Sequence, residues 1–389
     1  MKQVSLAIQL YLKISLIAAV CWLAFLLSKT NLYDSDFRVF YSSGYILQTT
    51  PSELYLNDQQ ERIQKQFFPD NDKNFYTLSF INPPYLALLF APIALLPVSL
   101  AFVIWVSFNI GLFVACIYLI KSEFSIKLSF SQLLLEASFF IPFFVTLKNG
   151  QTSLISLFLL LIIQDRIHKN QPFVAGLLAS VLWYKPQIAV FVTLLWLIRG
   201  KLSFLKGLLL GGVLLGMLSF FILGTDVRTF FGTFISYVSA SSPEHSKEAM
   251  ISWQGFAWQV HRLIPSLEPI MLTLCLTGLT IVGIGIWCLR NKLWLAPKNT
   301  VFAFLIPLIL LCGVHVHVHD AVLLLIPLFF LRQEKTFQSN VMTILGYLIF
   351  LLSYFSPFYP NVFPFIPTLY LVVLLVVLGR RLQRQRRYQ

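Results

Sequence analysis

The sequence predicts an all-α, polytopic integral membrane protein with about twelve transmembrane helices and one long extracytoplasmic first loop. Three observations predict it. Apolar runs long enough to cross a bilayer, about 20 residues each, recur along the chain. Only 12% of residues are charged, against about 25% in soluble domains. Hydrophobic residues make up 57% of the chain and mean hydropathy is +0.77. A membrane β-barrel would instead show short segments of alternating hydrophobicity.

The elements follow in order. The first run, Leu6 to Leu27, lacks a clear small-residue cleavage site and reads as a retained helix over 5–27. Residues 29–97 form the first extracytoplasmic loop, with Asp34, Asp36, Asp58, Asp70 and Asp72. Its end, from Pro83-Pro84-Tyr85 to Pro97, is bracketed by prolines and is too short to span, so it reads as a juxtamembrane helix. The remaining spans are 98–120, 129–147, 150–164, 172–184, 187–198, 203–224, 268–289, 300–314, 319–331, 339–355 and 362–378. The whole chain, 1–389, reads as one transmembrane domain ending in a basic tail over 379–389.

Charge sets the topology. A net charge of +13 would suit a nucleic-acid binder, but the basic residues are scattered in short loops between spans. That is the positive-inside pattern, and nucleic acid is excluded as a partner. Arg380, Arg381, Arg384, Arg386 and Arg387 place the tail in the cytoplasm. An even span count then puts both termini there, in the plasma (inner) membrane. Lys121/Lys127, Arg166/Lys169, Arg199/Lys201, Arg290/Lys292/Lys298 and Arg332/Lys335 fall on the same side. The five cysteines lie in apolar segments and imply no disulfide framework.

Two spans are short. At 1.5 Å per residue, about 13 residues reach about 20 Å, against a hydrocarbon core of about 30 Å. The junction Trp183-Tyr184-Lys185-Pro186-Gln187 would then lie below the outer surface, where irregular backbone must be buried in protein or line a wet cavity. A cavity open to the outer face is one reading. A single proline-kinked helix with Lys185 turned inward is the other.

The outer loops hold most of the unusual polar residues. They are Asp34, Asp36, Arg38 and Tyr41; Lys148, Asn149, Gly150 and Gln151; Lys185 and Gln187; His245, Trp253, Gln254, Trp258, His261 and Arg262; and His315, His317 and His319 beside Asp320. Polar groups next to apolar spans are costly to insert and are functional candidates by default. A transporter would set them near the midplane with repeat symmetry between halves, and no matching second half is visible. Three readings of the histidines stand: a catalytic partner, two ligands that hold a metal with Asp320, or packing. A helix would bring His315 and His319 to one face, and extended backbone would align all three.

The string Asp36-Phe37-Arg38-Val39-Phe40-Tyr41, continuing to Leu54-Tyr55, resembles the opening signature of glycosyltransferase family 87. In order behind it come Asn82-Pro83-Pro84, Pro92, Pro97 and Trp105; Gly150-Gln151 before Ser153; Gly176 before Lys185-Pro186-Gln187; Ser252-Trp253-Gln254-Gly255, where the family's Asn-Gln-Ser order is degenerate; and His319 ahead of a Leu/Pro-rich helix. The likeness covers roughly residues 30–330.

The resemblance implies a GT-C-like fold and a polyprenyl-phosphate-sugar-dependent hexosyltransferase, with mannose as the sugar. It implies an inverting transfer on the outer face to a lipid-linked or extracytoplasmic glycan acceptor. It also carries the general base to Asp36, with His319 as partner. A carboxylate within reach of the acceptor hydroxyl can take its proton, and one base suffices for a single displacement. Cations would meet the charge on the leaving lipid phosphate. Lys148, Lys185 and Arg262 are the candidates, with Arg38 behind them. Arg38, Tyr41, Lys148, Gln151, Lys185, Gln187, Gln254, Arg262 and His317 form the substrate-binding set. No cofactor is implied, although the spacing of Asp34-Ser35-Asp36 leaves a divalent metal open. The partners are the donor, a glycan or glycolipid acceptor, and membrane lipid. A transporter or flippase of lipid-linked saccharide is the alternative from another class.

Overall fold

The computed structural model describes residues 31–69, 76–226, 228–233, 250–292, 295–333, 336–355 and 365–387. Every regular element among them is helical. The expected first span and the candidates Asp70, Asp72 and His245 lie outside the described residues.

The first loop is folded. Helices α1 (Phe37–Thr49), α2 (Asn57–Phe67) and α3 (Pro84–Phe90) pack into a cap. Phe40 of α1 stacks on Phe90 of α3 at 4.8 Å, and the Tyr41 hydroxyl donates to the Leu96 carbonyl at 2.8 Å. Gln60 and Gln64 of α2 are buried and bind the incoming chain at Leu78 and Phe80 as a ladder partner would. Their amides satisfy backbone groups that no strand pairs with. Residues 83–97 hold only α3 and one 3-10 turn (Ile93–Leu95), with proline at the start of α3 where its missing N–H costs nothing.

The chain then enters the bundle through α4 (Val98–Glu123). Next come α5 (Phe130–Ser138) and α6 (Ile141–Lys148), bent by 66° at their junction. The continuous span expected over 129–147 is therefore broken. Pro142 in the first turn of α6 has no N–H to continue a ladder from α5. After α7 (Ser153–His168), α8 (Pro172–Val181) and α9 (Pro186–Ile198) flank a 3-10 turn at Leu182–Tyr184. Lys185 sits at that break, as the short spans imply. Helix α10 (Leu202–Leu223) lies backbone to backbone on α8. A Cβ at Gly176 would fall 2.0 Å from the Phe204 carbonyl oxygen, and one at Gly207 as close to that of Phe173. Small residues let membrane helices gain dispersion contact this way.

The second half holds α11 (Trp253–Leu263), α12 (Pro269–Asn291), α13 (Lys298–Cys312), a 3-10 turn at Val318–Leu324, α14 (Leu325–Arg332), α15 (Phe337–Phe355) and α16 (Phe365–Arg387). Helices α13 and α14 form the centre, buried from Thr300 to Cys312 and from Leu325 to Leu331. Among the described residues five helices, α4, α10, α12, α15 and α16, are long and apolar enough to cross a membrane, or six spans with the bent pair. Among the described residues several of the expected spans, such as 172–184, 187–198 and 300–314, fold as apolar helices shorter than 18 residues. The protein is multi-pass and all-helical.

Polar residues stitch the bundle at two separate ends. At one, His168 Nδ1 meets Glu123 Oε2 at 2.5 Å, Asn299 donates to the Glu123 carbonyl, and Arg199 donates to that of Ala296. Gln333 reaches the Phe124 carbonyl there. This is the basic end. Helices α4, α7, α9 and α13 run from it to the other end, where the outer-loop candidates gather.

Candidate active site

Asp36 is placed by a loop from another part of the chain. The loop after α6 docks on the start of α1: the Phe37 N–H donates to the Asn149 carbonyl at 3.0 Å, and Trp105 Nε1 donates to the Gly150 carbonyl at 2.8 Å. Gly150 has φ +62°, and a Cβ there would lie 2.5 Å from that of Phe37, so only glycine fits. This docking brings Gln151 Nε2 to 2.7 Å from Asp36 Oδ2. Asp36 precedes α1, yet its side chain makes no capping bond. The carboxylate faces Gln151 instead.

Lys185 arrives from the α8–α9 break. Its ammonium lies 2.5 Å from Asp320 Oδ1 and donates to Ser153 Oγ at 3.0 Å, and Ser153 donates to the same carboxylate oxygen at 2.8 Å. Both ionic partners are buried. A pair out of water is tolerable only with such further hydrogen bonds. Tyr184 anchors the break, with its hydroxyl donating to the Thr152 carbonyl and 2.6 Å from that of Ser156. Lys185 thus realises the buried ion pair, and the third N–H of its ammonium is the one available to a ligand.

The histidine loop closes the site. His315 adopts φ +54°, and its N–H donates to Gln254 Oε1 at 2.9 Å. The Ile251 N–H donates to the Val316 carbonyl. The His317 N–H donates to Asp320 Oδ2 at 3.3 Å. The rings of His317 and His319 stack with centroids 5.5 Å apart. His319 is buried, with its carbonyl accepting from Thr146 and its ring 3.5 Å from Asp320. His317 keeps an accessible edge.

Burial pushes the Asp36 carboxyl above the usual aspartate range, opposed by the Gln151 hydrogen bond and by the charges of His317, Lys185 and Arg38. Burial holds His317 below the usual histidine range, opposed by Asp320 and Asp36. Of the two imidazoles, His317 is the one whose charge bears on Asp36, while His319 lies against Asp320.

The other candidates divide. Arg38 is buried, donates to the Tyr76 carbonyl at 2.9 Å and lies over the rings of Tyr33 and Tyr76. The Tyr41 hydroxyl is taken up by Leu96, and the ring packs on Phe67 and Phe68. Lys148 turns to Tyr354, 3.4 Å from its hydroxyl. Gln187 lies beside Gly313, at the root of the histidine loop. Gln254 holds that loop through its backbone. Arg262 is exposed eight residues further along α11, roughly 12 Å from Gln254 along the axis. Asp34 accepts from Asn31 at 2.9 Å, so the two carboxylates of Asp34-Ser35-Asp36 serve different partners. Among the described residues no three His, Cys, Asp or Glu side chains group as metal ligands.

Sequence reasoning left Ser153 and Trp105 out of the site and weighed Asp320 only as a metal ligand. Asp320 carried a signal, an acid at the head of an apolar run, but its partner is 135 residues away. With this geometry in view, comparison with known families gives one result: a family model described as glycosyltransferase family 87 matches residues 80–314. The chain belongs to glycosyltransferase family 87. No curated protein and no solved structure matches it. The matched region of this family 87 glycosyltransferase includes Gln151, Lys185 and Gln254 and stops short of Asp36 on one side and His317 on the other. Both lie outside the matched region.

Proposed function

We propose that the protein is an inverting hexosyltransferase that moves mannose from a polyprenyl-phosphate donor to a lipid-linked or extracytoplasmic glycan. The basic end faces the cytoplasm of a bacterial-type plasma membrane, and the Asp36 end faces out. The observation that supports the reading is the hydrogen bond from Gln151 to the buried Asp36 carboxylate at that end.

In the reaction the acceptor hydroxyl gives its proton to Asp36 as its oxygen bonds to the anomeric carbon. The bond from that carbon to the phosphate oxygen breaks, and polyprenyl phosphate leaves. Gln151 fixes one carboxylate oxygen, so the other is free to meet the acceptor. A base with a raised pKa holds the proton more firmly as the hydroxyl is lost. His317, whose neutral form burial favours, can in that form accept a hydrogen bond from protonated Asp36 or from the acceptor. The third N–H of Lys185 is the donor for the developing phosphate charge.

The test is transfer from labelled polyprenyl-phosphate mannose in membranes. Asp36→Asn should abolish transfer, by about 100-fold or more, with expression unchanged, while Asp34→Asn should retain most of it. Undiminished transfer in Asp36→Asn removes Asp36 from its role. Movement of saccharide across the membrane with no glycosidic bond formed would favour a flippase.

A further inference from the structure

The basic end carries a feature that sugar transfer does not use. Helices α12, α13 and α16 leave a groove of about 370 Å3 between Ile284, Trp287, Phe304, Gly379, Arg380 and Gln383. That volume falls in the range of small-molecule sites, roughly 300–1,000 Å3. Gly379 seats two of the lining rings: a Cβ there would lie 3.0 Å from the Trp287 ring and 3.4 Å from that of Phe304, and the groove runs beside them. One lip is fixed, since Gln383 donates to Asn291 at 3.0 Å and Asn291 donates to the Trp287 carbonyl. At the other, Arg380 is exposed, and among the described residues no hydrogen bond or ion pair engages its guanidinium.

Two observations identify the occupant. The most apolar stretch of α12 has no buried residue, so this helix turns its surface to the membrane and the groove opens sideways into lipid. No acidic residue occurs in α12, α13 or α16, whereas Arg290, Lys292, Arg380 and Arg384 crowd the same ends. An apolar slot under uncompensated cations, in membrane-spanning helices, matches a chain joined to a phosphate. A second copy docked symmetrically through this face would set arginine against arginine.

We propose that the groove binds an anionic glycerophospholipid. One acyl chain lies in the groove against Ile284, Trp287 and Phe304, and the phosphate pairs with Arg380. The site is at the opposite end of the bundle from Asp36, so its occupant is not the sugar donor.

Trp287 is a built-in reporter. The full chain is placed in phosphatidylcholine nanodiscs with a few per cent of either brominated phosphatidylglycerol or brominated phosphatidylcholine, and the emission lost in Trp287→Phe isolates the signal. The anionic lipid should quench Trp287 at about fivefold lower mole fraction, the preference one arginine confers at about 1 kcal/mol. Arg380→Gln should erase that preference while sugar transfer persists, which shows the variant folded. Equal quenching by the two lipids in the native chain overturns the proposal. So does a preference retained in Arg380→Gln, displacement of the lipid by inorganic phosphate alone, or a dimer on native mass spectrometry that shields Trp287 from both lipids.

Discussion

Gln151 Nε2 lies 2.7 Å from Asp36 Oδ2, across 115 residues of sequence. The bond joins the entry of the first-loop cap to the turn between α6 and α7, and in the proposed reaction it would set where the acceptor's proton is taken.

This bond sets a pH signature. A base works only when ionised, so transfer should fall on the acid side, with a midpoint above the usual aspartate value because burial raises the Asp36 pKa. Gln151 stabilises the charged form and lowers that pKa. Gln151→Leu should therefore move the acid limb to higher pH and slow transfer by about 10- to 100-fold at neutrality, the worth of a hydrogen bond to a charged group. A pH–rate profile of kcat/KM in membranes checks both. An acid limb that does not move separates Gln151 from Asp36.

Gly150→Ala should cost the site its geometry. An L-residue in the left-handed region loses roughly 1–2 kcal/mol, and the new methyl would also strike Phe37. A lowered Tm in detergent together with lost transfer is expected. Gly200→Ala, also at positive φ but with open space around it, should lower Tm less and leave transfer intact.

Removing one member of the Lys185–Asp320 pair strands the other. Lys185→Met should destabilise by about 3–5 kcal/mol, and the double variant Lys185→Met/Asp320→Leu should recover most of that. Transfer should stay low in both, because the ammonium is gone. If the double variant recovers transfer as well, Lys185 has only a structural role. Thermal unfolding and the mannose assay on the same preparations decide it.

The two stacked histidines should separate by phenotype. His317→Gln should reduce transfer with little change in Tm, since the ring keeps an accessible edge. His319→Ala should lower Tm first, as a buried ring is lost beside Asp320. The reverse pattern would return the partner role to His319.

Much of this was readable in the sequence where local chemistry is decisive. Prolines around Lys185 and the shortness of its two apolar runs signalled a broken span, and the structure breaks there. The segregation of basic loops foreshadowed the end built on Glu123, His168 and Asn299. The bend between α5 and α6 was missed, because the run through Phe139 and Phe140 is apolar throughout and Pro142 alone marked the break. The work of Gln254, Tyr41 and Lys185 was hidden for another reason. Each is spent on a partner distant in sequence, and a side chain that holds a backbone carbonyl or a carboxylate looks the same on paper as one that holds a sugar. How differently His317 and His319 are buried depends on the turn at Val318, a property of the fold.

The seating of Gly150 against Phe37 also bears on how such chains can diverge. Glycine fits its backbone, Trp105 grips its carbonyl and Phe37 fills the space a side chain would need. A change at any one is harmful until another answers it. Drift at these three positions should therefore come in steps taken together, and their joint variation among distant cousins would trace the docked turn even where the acid it presents has been replaced.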